Sequence, residues 1–392
     1  MGAPARVSAP TAGIAKTSAP KNAAAATSAP AAAHASTLAK KGALAAVDSP
    51  VAGWLRSGPR RATSVLQPPP RVGAIRAAFA GVTESDPMPT FSVVIPAYQA
   101  AQYVREAIDS VLAQTVGAHE IIVCDDGSTD GTAEVLATYG DRIRVLRQEN
   151  RGPSSARNAA CQAATGEYIA LLDADDSWLP QRLERVSEVV RREPSAIVTT
   201  DAFVRRAGQH DARWYSDFVS PAFPADNAGQ RQEILRRNFV FALTVFSRSH
   251  WLQVGGLDEK LRWSQDYDLW LRLIFAGHTV RLIDEPLATY RLHDENISGD
   301  RTSILQDDAM IVGRAPVCTN EEKALADRRL VELADSIQLA RAQRAVLRGT
   351  NARRLCFSVA LNRRQSRRQR EKAALAALAP RLARLAKGLN AR

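Results

Sequence analysis

A membrane span is the first thing this sequence does without. Its longest apolar run, residues 239–246 of 392, falls far short of the roughly 20 residues that a helix needs to cross a bilayer. Cysteine is sparse as well. Cys124, Cys161, Cys318 and Cys356 stand far apart, with no Cys-x-x-Cys pair and no histidine at zinc spacing, which argues against a structural zinc site. Cys124 falls in a stretch that reads as a buried strand and Cys161 in a helix, where cysteine serves as a small core residue, so a reducing cytosol is the expected compartment. The N-terminus has no continuous apolar core behind its charges and Arg6 stands where a myristoylation motif wants Ser or Thr, so neither a secretory signal nor a lipid anchor is expected there. Methionine occurs three times, and Met88 directly precedes the first convincing strand. The natural start is expected at Met88, with the leader a misread upstream region; mass spectrometry of the native N-terminus decides this.

Acidic residues are nearly missing from both ends. Residues 1–90 hold ten Lys and Arg against three Asp and Glu, and residues 341–392 fifteen against one, so the net charge of +11 leaves a middle with 27 basic against 37 acidic residues. The basic balance therefore belongs to the ends, and an acidic middle that binds a polyanion needs a metal to do so. Basic ends could meet anionic lipid or nucleic acid. Residues 1–88 are rich in Ala, Pro and Ser, with Ser-Ala-Pro at Ser8, Ser18 and Ser28, and cannot bury a core; a low-complexity, disordered leader is expected.

From Phe91 the pattern changes. Phe91 to Ile95 reads as a strand stopped by Pro96, and Val104, Ile108, Val111 and Leu112 mark one helix face. Glu120 to Cys124 reads as a second strand and Ile143 to Leu146 as a third. Between them lies a polar turn whose Asp130 caps a helix running to about Tyr139. Gly152-Pro153 opens another helix, with proline where a first turn tolerates it, and Tyr168 to Leu172 is an apolar run of strand length. Strands alternating with helices predict an α/β fold with a mainly parallel sheet. After a helix to about Arg192 and a strand over 196–200, residues 205–232 show no period. With Trp214, Tyr215, Phe218 and Phe223 they read as a substrate-facing loop or, equally, a patchwork surface loop. Leu243 to Ser247 is a strand, a helix begins at about Ser264, and helices alone follow Gly299.

The Tyr168 strand ends in Asp173, Asp175 and Asp176. At the carboxyl end of a parallel strand, where α/β sheets bind ligands, three carboxylates repel one another unless a cation sits among them. Mg²⁺ or Mn²⁺ takes one or two such carboxylates and leaves its other positions to water and phosphate oxygens. A polar turn capping the next helix is the other reading of the same residues.

Several motifs in order carry a resemblance. Val93-Val94-Ile95-Pro96-Ala97-Tyr98, Asp125-Asp126-Gly127-Ser128-Thr129-Asp130, Gly152 through Ala156-Arg157-Asn158, Leu172-Asp173-Ala174-Asp175-Asp176, Gly255-Gly256-Leu257-Asp258 and Gln265-Asp266-Tyr267-Asp268-Leu269-Trp270-Leu271-Arg272 together resemble the inverting family 2 nucleotide-sugar glycosyltransferases of the GT-A fold. The resemblance spans about Met88 to Ser298. It implies a GT-A catalytic domain over 89–299, between the leader of 1–88 and a helical basic C-terminal extension of 300–392. It also implies roles: Pro96, Tyr98 and Asp126 hold the nucleoside, Arg157 sits near the base or diphosphate, Asp175 and Asp176 with Asp173 hold the metal, and Asp266 is the catalytic base. In the late Tyr290-Arg291-Leu292-His293 segment, His293 approaches the metal or diphosphate, or is a plain surface histidine. Two positions depart from the family pattern: Gln99 stands where Asn is usual and Gln265 where Glu is usual. Losing a charge beside Asp266 lowers its pKa relative to a Glu neighbour.

The implied reaction is a single displacement at the anomeric carbon, with Asp266 taking the acceptor proton and the helix dipole holding its carboxylate ionised. A UDP-sugar donor and a glycan or glycolipid acceptor in cell-surface polysaccharide synthesis are expected. Asp266 as a mere helix cap is the bland alternative. Trp178 and Trp263 could stack on a sugar, whereas Trp270 belongs to the core. A non-catalytic sugar-nucleotide scaffold is countered by the intact Asp175, Asp176 and Asp266, and a nucleotidyltransferase by the lack of a Gly-rich phosphate loop after the first strand. The C-terminal region has only Phe357 as an aromatic platform, so no nucleic acid is expected. It reads as a helix docking peripherally on the inner face of the plasma membrane, or as a solvated tail.

Overall fold

The computed structural model describes residues 87–206, 212–214, 223–292, 301–348 and 352–378. The leader up to residue 86, Tyr215, Phe218, His293 and the C-terminal stretch beyond residue 378 lie outside the described residues, and so do the expectations attached to them.

Chain order gives β1 (Phe91–Ala97), α1 (Val104–Leu112), β2 (Glu120–Asp125), α2 (Thr132–Ala137), β3 (Arg144–Arg147), α3 (Pro153–Ala163) and β4 (Tyr168–Leu171). It continues through β5 (Ser177–Trp178), α4 (Arg182–Val190), β6 (Ile197–Arg206), β7 (Ala212–Arg213), α5 (Asn227–Arg236), β8 (Val245–Ser247), α6 (Arg248–Val254), α7 (Gln265–Phe275) and β9 (Val280–Leu292). Four helices follow: α8 (Arg301–Gly313), α9 (Asn320–Leu347), α10 (Arg353–Leu361) and α11 (Arg367–Leu378). The sheet runs β3-β2-β1-β4-β8-β6-β9-β5, with β7 paired to β6.

β1, β2, β3 and β4 are mutually parallel, as expected, and β6 pairs parallel with β9. The pairings β4–β8, β6–β8, β5–β9 and β6–β7 are antiparallel. The second half of the sheet is thus mixed. β9 was invisible in the sequence because Arg281, Asp284, Glu285, Pro286 and Arg291 break its apolar alternation, and two register irregularities against β6 accommodate that break.

The central strands are apolar on both sides, and their residues divide between two cores with the period of two that a strand imposes. Val93, Ile95, Ile121, Val123, Ala170 and Leu172 pack with Val104 and Ile108 of α1 and Leu183 and Val186 of α4. Val94, Ile122, Cys124, Ile169 and Leu171 face the other way, onto Ala156, Ala160 and Cys161 of α3 and Leu269, Trp270 and Leu273 of α7. Cys124, Cys161 and Trp270 are therefore core residues. Edge strand β3 carries exposed Arg144 and Arg147, which blunt pairing with another chain.

The boundary expected at 299/300 falls ahead of α8, yet Ile311 and Val312 of α8 and Ala326 and Leu333 of α9 pack in the second core. A separate small core, built on Ala342, Val346, Cys356, Val359 and Ala377, unites only the end of α9 with α10 and α11. Among the described residues no helix is long and apolar enough to cross a membrane.

Candidate active site

The carboxyl ends of β1, β2 and β4 lie side by side, with Ala97 opposite Asp125 and Val94 opposite Leu171. Pro96, Tyr98, Asp126 and the Asp173–Asp176 turn therefore share one sheet edge. Tyr98 presents a ring that is 53% exposed. Gln99 beside it has a positive φ of 51°, a conformation that Asn adopts more readily than Gln. Its own hydrogen bonds hold it there: its amide N–H donates to Ser128 Oγ at 3.0 Å and its Oε1 accepts the Thr129 amide at 2.8 Å. The departure at Gln99 thus keeps the tyrosine loop tied to the loop after β2.

Asp126 is buried, and its carboxylate is already engaged. Oδ1 accepts the Arg151 amide at 2.9 Å and Gln148 Nε2 at 2.7 Å, and Oδ2 accepts the Gly152 amide at 2.8 Å. It organises the turn into α3; a lone pair on Oδ2 is what remains for a ligand N–H.

Asp173, Asp175 and Asp176 offer oxygens that all lie within 4.8 Å of one another. A tight turn brings them together, with the Asp176 amide donating to the Asp173 carbonyl at 3.1 Å. Asp176 is 2% exposed: Oδ1 accepts the Arg291 amide at 2.9 Å, while Oδ2 is buried with no hydrogen-bond partner. Burial first, then the charges of Asp175 and Asp173, push its carboxyl well above the usual range. Three convergent carboxylates with one buried orphan oxygen fit a hard divalent cation. Arg157 forms an ion pair with Asp173, so Asp173 is shared between that cation site and an arginine.

Arg157 is nine-tenths buried and sits between the two halves of the site. Nη1 meets Gln265 at 3.0 Å when the Gln265 amide is turned to accept it and to donate to the Trp263 carbonyl at 2.7 Å. At the second departure, Gln265 thus keeps a hydrogen bond to Arg157 without adding a charge beside Asp266. Arg157 also bears electrostatically on Asp266.

Asp266 lies in the first turn of α7, as expected, and Oδ2 accepts Asn238 Nδ2 at 3.1 Å. Its carboxyl is nevertheless raised above its ordinary value: burial outweighs the Tyr267 amide, Arg157 and Asn238, and Asp173 adds to the rise. The helix N-terminus alone, which led to an expectation of a carboxylate simply held ionised, does not set its titration. A raised carboxylate is a stronger base, which suits proton abstraction. The neighbouring Asp268 has a different part: at 1% exposure it is bracketed by Arg272 at 2.7 Å and Arg314 at 2.6 Å. Arg272 also donates to the Gly256 carbonyl at 2.6 Å, linking α7 to the Gly255-Gly256 turn.

The sequence reading missed two residues. Asn238 stands in no motif. Arg291 belongs to the late Tyr290-Arg291-Leu292-His293 segment, where the resemblance points only to His293. Besides its amide on Asp176, Arg291 donates Nε to the Asp175 carbonyl at 3.1 Å, pairs with Glu106 and lies over the Tyr103 ring at 5.5 Å. It latches the end of β9 to the carboxylate turn and to α1. Trp178 is buried beneath the Arg182 guanidinium at 5.0 Å, so it is a core residue and no sugar platform. In the 205–232 stretch Trp214 packs on Phe241 at 5.1 Å and Tyr290 at 5.5 Å, and Phe223 packs on Phe239 at 5.1 Å, so both rings are anchored in the fold.

The pattern described as "Glycosyl transferase family 2" matches residues 92–252. The chain is 33% identical over 224 residues to TuaG of Bacillus subtilis, named as a teichuronic acid biosynthesis glycosyltransferase; the match covers 54% of this chain and 83% of TuaG. It is 33% identical over 230 residues to the hyaluronan synthase of Pasteurella multocida, covering 57% of this chain but 23% of that enzyme. In three dimensions it resembles residues 1–349 of S. aureus TarS, solved with UDP-GlcNAc, at a TM-score of 0.52 and 15% identity over 77% of this chain and 92% of that one.

Proposed function

This chain belongs to glycosyl transferase family 2, and we propose that it moves a hexose from a UDP-sugar to an acceptor hydroxyl with inversion, in the synthesis of a cell-surface polysaccharide or glycolipid. As a family member it is a nucleotide-sugar glycosyltransferase. The choice of UDP is supported by the UDP-GlcNAc held in TarS, and the setting by the teichuronic acid and hyaluronan relatives. The observation that carries the reading is the place of Arg157, which pairs with Asp173 and reaches Gln265, the neighbour of Asp266.

Each residue then has a task. The exposed Tyr98 ring takes the flat face of the base, beside Pro96, and Asp126 Oδ2 accepts a base N–H. Asp175 and Asp176, with Asp173 beside them, would hold the metal, and Arg157 stands ready to grip the diphosphate by a bidentate fork. Mg²⁺ or Mn²⁺ bound there supplies Lewis-acid charge to the leaving diphosphate. Asp266 accepts the acceptor's proton as the new C–O bond forms, and Asn238 fixes the carboxylate that receives it. No covalent intermediate is called for, so no Ser, Cys or Lys nucleophile is needed.

Peripheral contact with the inner face of the plasma membrane belongs to the same proposal. The outward side of α10 carries Arg353, Arg354, Phe357 and Leu361, and that of α11 carries Arg367, Arg368, Lys372, Leu375 and Leu378, all exposed. Basic and apolar side chains on one helix face suit an anionic lipid surface.

The test is calorimetric titration of the full chain with UDP, GDP and dTDP, each with and without Mn²⁺, beside Asp175→Ala. Mn²⁺-dependent binding of UDP that the substitution abolishes is expected. A chain that binds none of the three nucleotides under any condition refutes the donor site.

A further inference from the structure

Ser264 stands at the N-cap of α7, where serine ordinarily turns its oxygen onto a first-turn amide. Here it makes no such cap. Its hydroxyl instead donates to Asp308 Oδ1 of α8 at 2.7 Å, and one residue earlier the Trp263 amide donates to Asp307 Oδ2 at 3.0 Å. Two consecutive carboxylates of one helix thus grip two consecutive residues of the turn that leads directly into Asp266.

The Asp266 carboxylate just beyond that turn accepts Asn238 Nδ2 at 3.1 Å. Tyr267 is pinned in turn by its hydroxyl on the Ile234 carbonyl at 2.6 Å, so the turn is held from both sides. Asp308 sits at a cost: burial pushes its carboxyl up to about 6, against the Ser264 hydroxyl and the Arg329 charge from α9, with Asp266 and Asp307 adding to the rise. Carboxyl groups whose titration is shifted by their surroundings gather at functional sites. None of Asp307, Asp308 and Arg329 lies within the stretch that matches the family pattern.

We propose that Asp308 is a positioning residue for the Asp266 base: by taking the Ser264 hydroxyl, and with Asp307 on the Trp263 amide, it fixes the α7 N-terminus and with it the place of the Asp266 carboxylate. The inference rests on Asp266 being the base. It gives α8 and α9 a part in catalysis that reaches the reacting atoms only through Ser264 and the backbone.

The experiment follows UDP release by the full chain with Mn²⁺ and water as acceptor. The substrate is whichever of UDP-glucose, UDP-GlcNAc and UDP-glucuronate turns over fastest. Asp308→Ala and Ser264→Ala are each expected to lower kcat by about 10- to 100-fold, the scale of a misplaced catalytic group, with the KM for the donor unchanged. The double variant should lose no more than either alone. Asp308→Asn, which keeps an oxygen for the Ser264 hydroxyl, should recover most of the loss. Hydrogen exchange across 263–268 should rise in Asp308→Ala and return in Asp308→Asn, whichever donor is used. The inference is overturned if Asp308→Asn is as slow as Asp308→Ala, if the two single losses multiply, or if Asp308→Ala leaves kcat and the exchange unchanged. An Asp266→Asn variant that retains full turnover would instead remove the base assignment, which separates the two failures.

Discussion

Replacing Asp176 by Asn should make the metal-free protein more stable while removing its response to metal. The carboxylate oxygens of Asp173, Asp175 and Asp176 converge within 4.8 Å. At that distance, with an effective dielectric constant of about 20, one pair of anions repels by about 3 kcal/mol. Arg157 offsets part of the charge of Asp173, while Asp175 and Asp173 both raise the Asp176 carboxyl against the opposing Arg291 charge. Asn keeps an oxygen for the Arg291 amide that now reaches Asp176 Oδ1. The Asp176 carboxyl is raised in the folded chain above its ordinary 3.8, so its contribution to stability is full at low pH and is lost as pH rises through the raised value. In EDTA at about pH 8, Asp176→Asn should therefore melt about 5 to 10 °C above the wild type, and the gap should close as pH falls toward 4. Mn²⁺ at about 100 times its Kd should return about 2.7 kcal/mol to the wild type and little to the variant. Scanning calorimetry with EDTA and with Mn²⁺ across pH reads all three. A variant that melts at or below the wild type in EDTA, or that gains as much from Mn²⁺, refutes the reasoning.

Other consequences are open to measurement. Asp266→Asn should lower kcat by about 10²- to 10⁴-fold while leaving UDP affinity intact, read by turnover and calorimetry together. His250 is 6% exposed, stacks on His278 at 3.7 Å, leaves Nδ1 without a partner and has its pKa pushed down to about 4 by burial and then by His278. The unfolded chain takes that proton first, so stability is full above about 6.5 and falls by up to about 3 kcal/mol as pH drops toward 4; urea titrations should show the slope flattened in His250→Phe. Gly256 has φ of +76°, and an added Cβ would meet Asn158 Oδ1 at 2.9 Å and the Trp251 ring at 3.1 Å, so Gly256→Ala should cost at least about 1 to 3 kcal/mol in chemical denaturation. The full chain should sediment with phosphatidylglycerol vesicles and not with phosphatidylcholine vesicles, and Leu361→Ser with Leu375→Ser should weaken that binding.

Much of this protein was legible from local order along the chain. The first four strands and the helices between them carry their own periodicity, and each carboxylate of the site follows a recognisable strand end or helix start. Chain order therefore determined the parallel half of the sheet, the core places of Cys124, Cys161 and Trp270, and the Asp173–Asp176 turn at a strand's carboxyl end, while the family resemblance added Tyr98 and Asp126 beside it. Partners distant in sequence were decided only by the tertiary structure. Asn238 meets Asp266 across 28 residues, Arg291 meets Asp176 across 115, and Ser264 meets Asp308 across 44. No spacing rule encodes such pairs, because they depend on how β9 and α8 pack back onto the sheet edge. The titration of Asp266 belongs to the same class: a helix N-terminus can be read from the sequence, but the burial that outweighs it exists only once the surrounding elements have closed over the carboxylate.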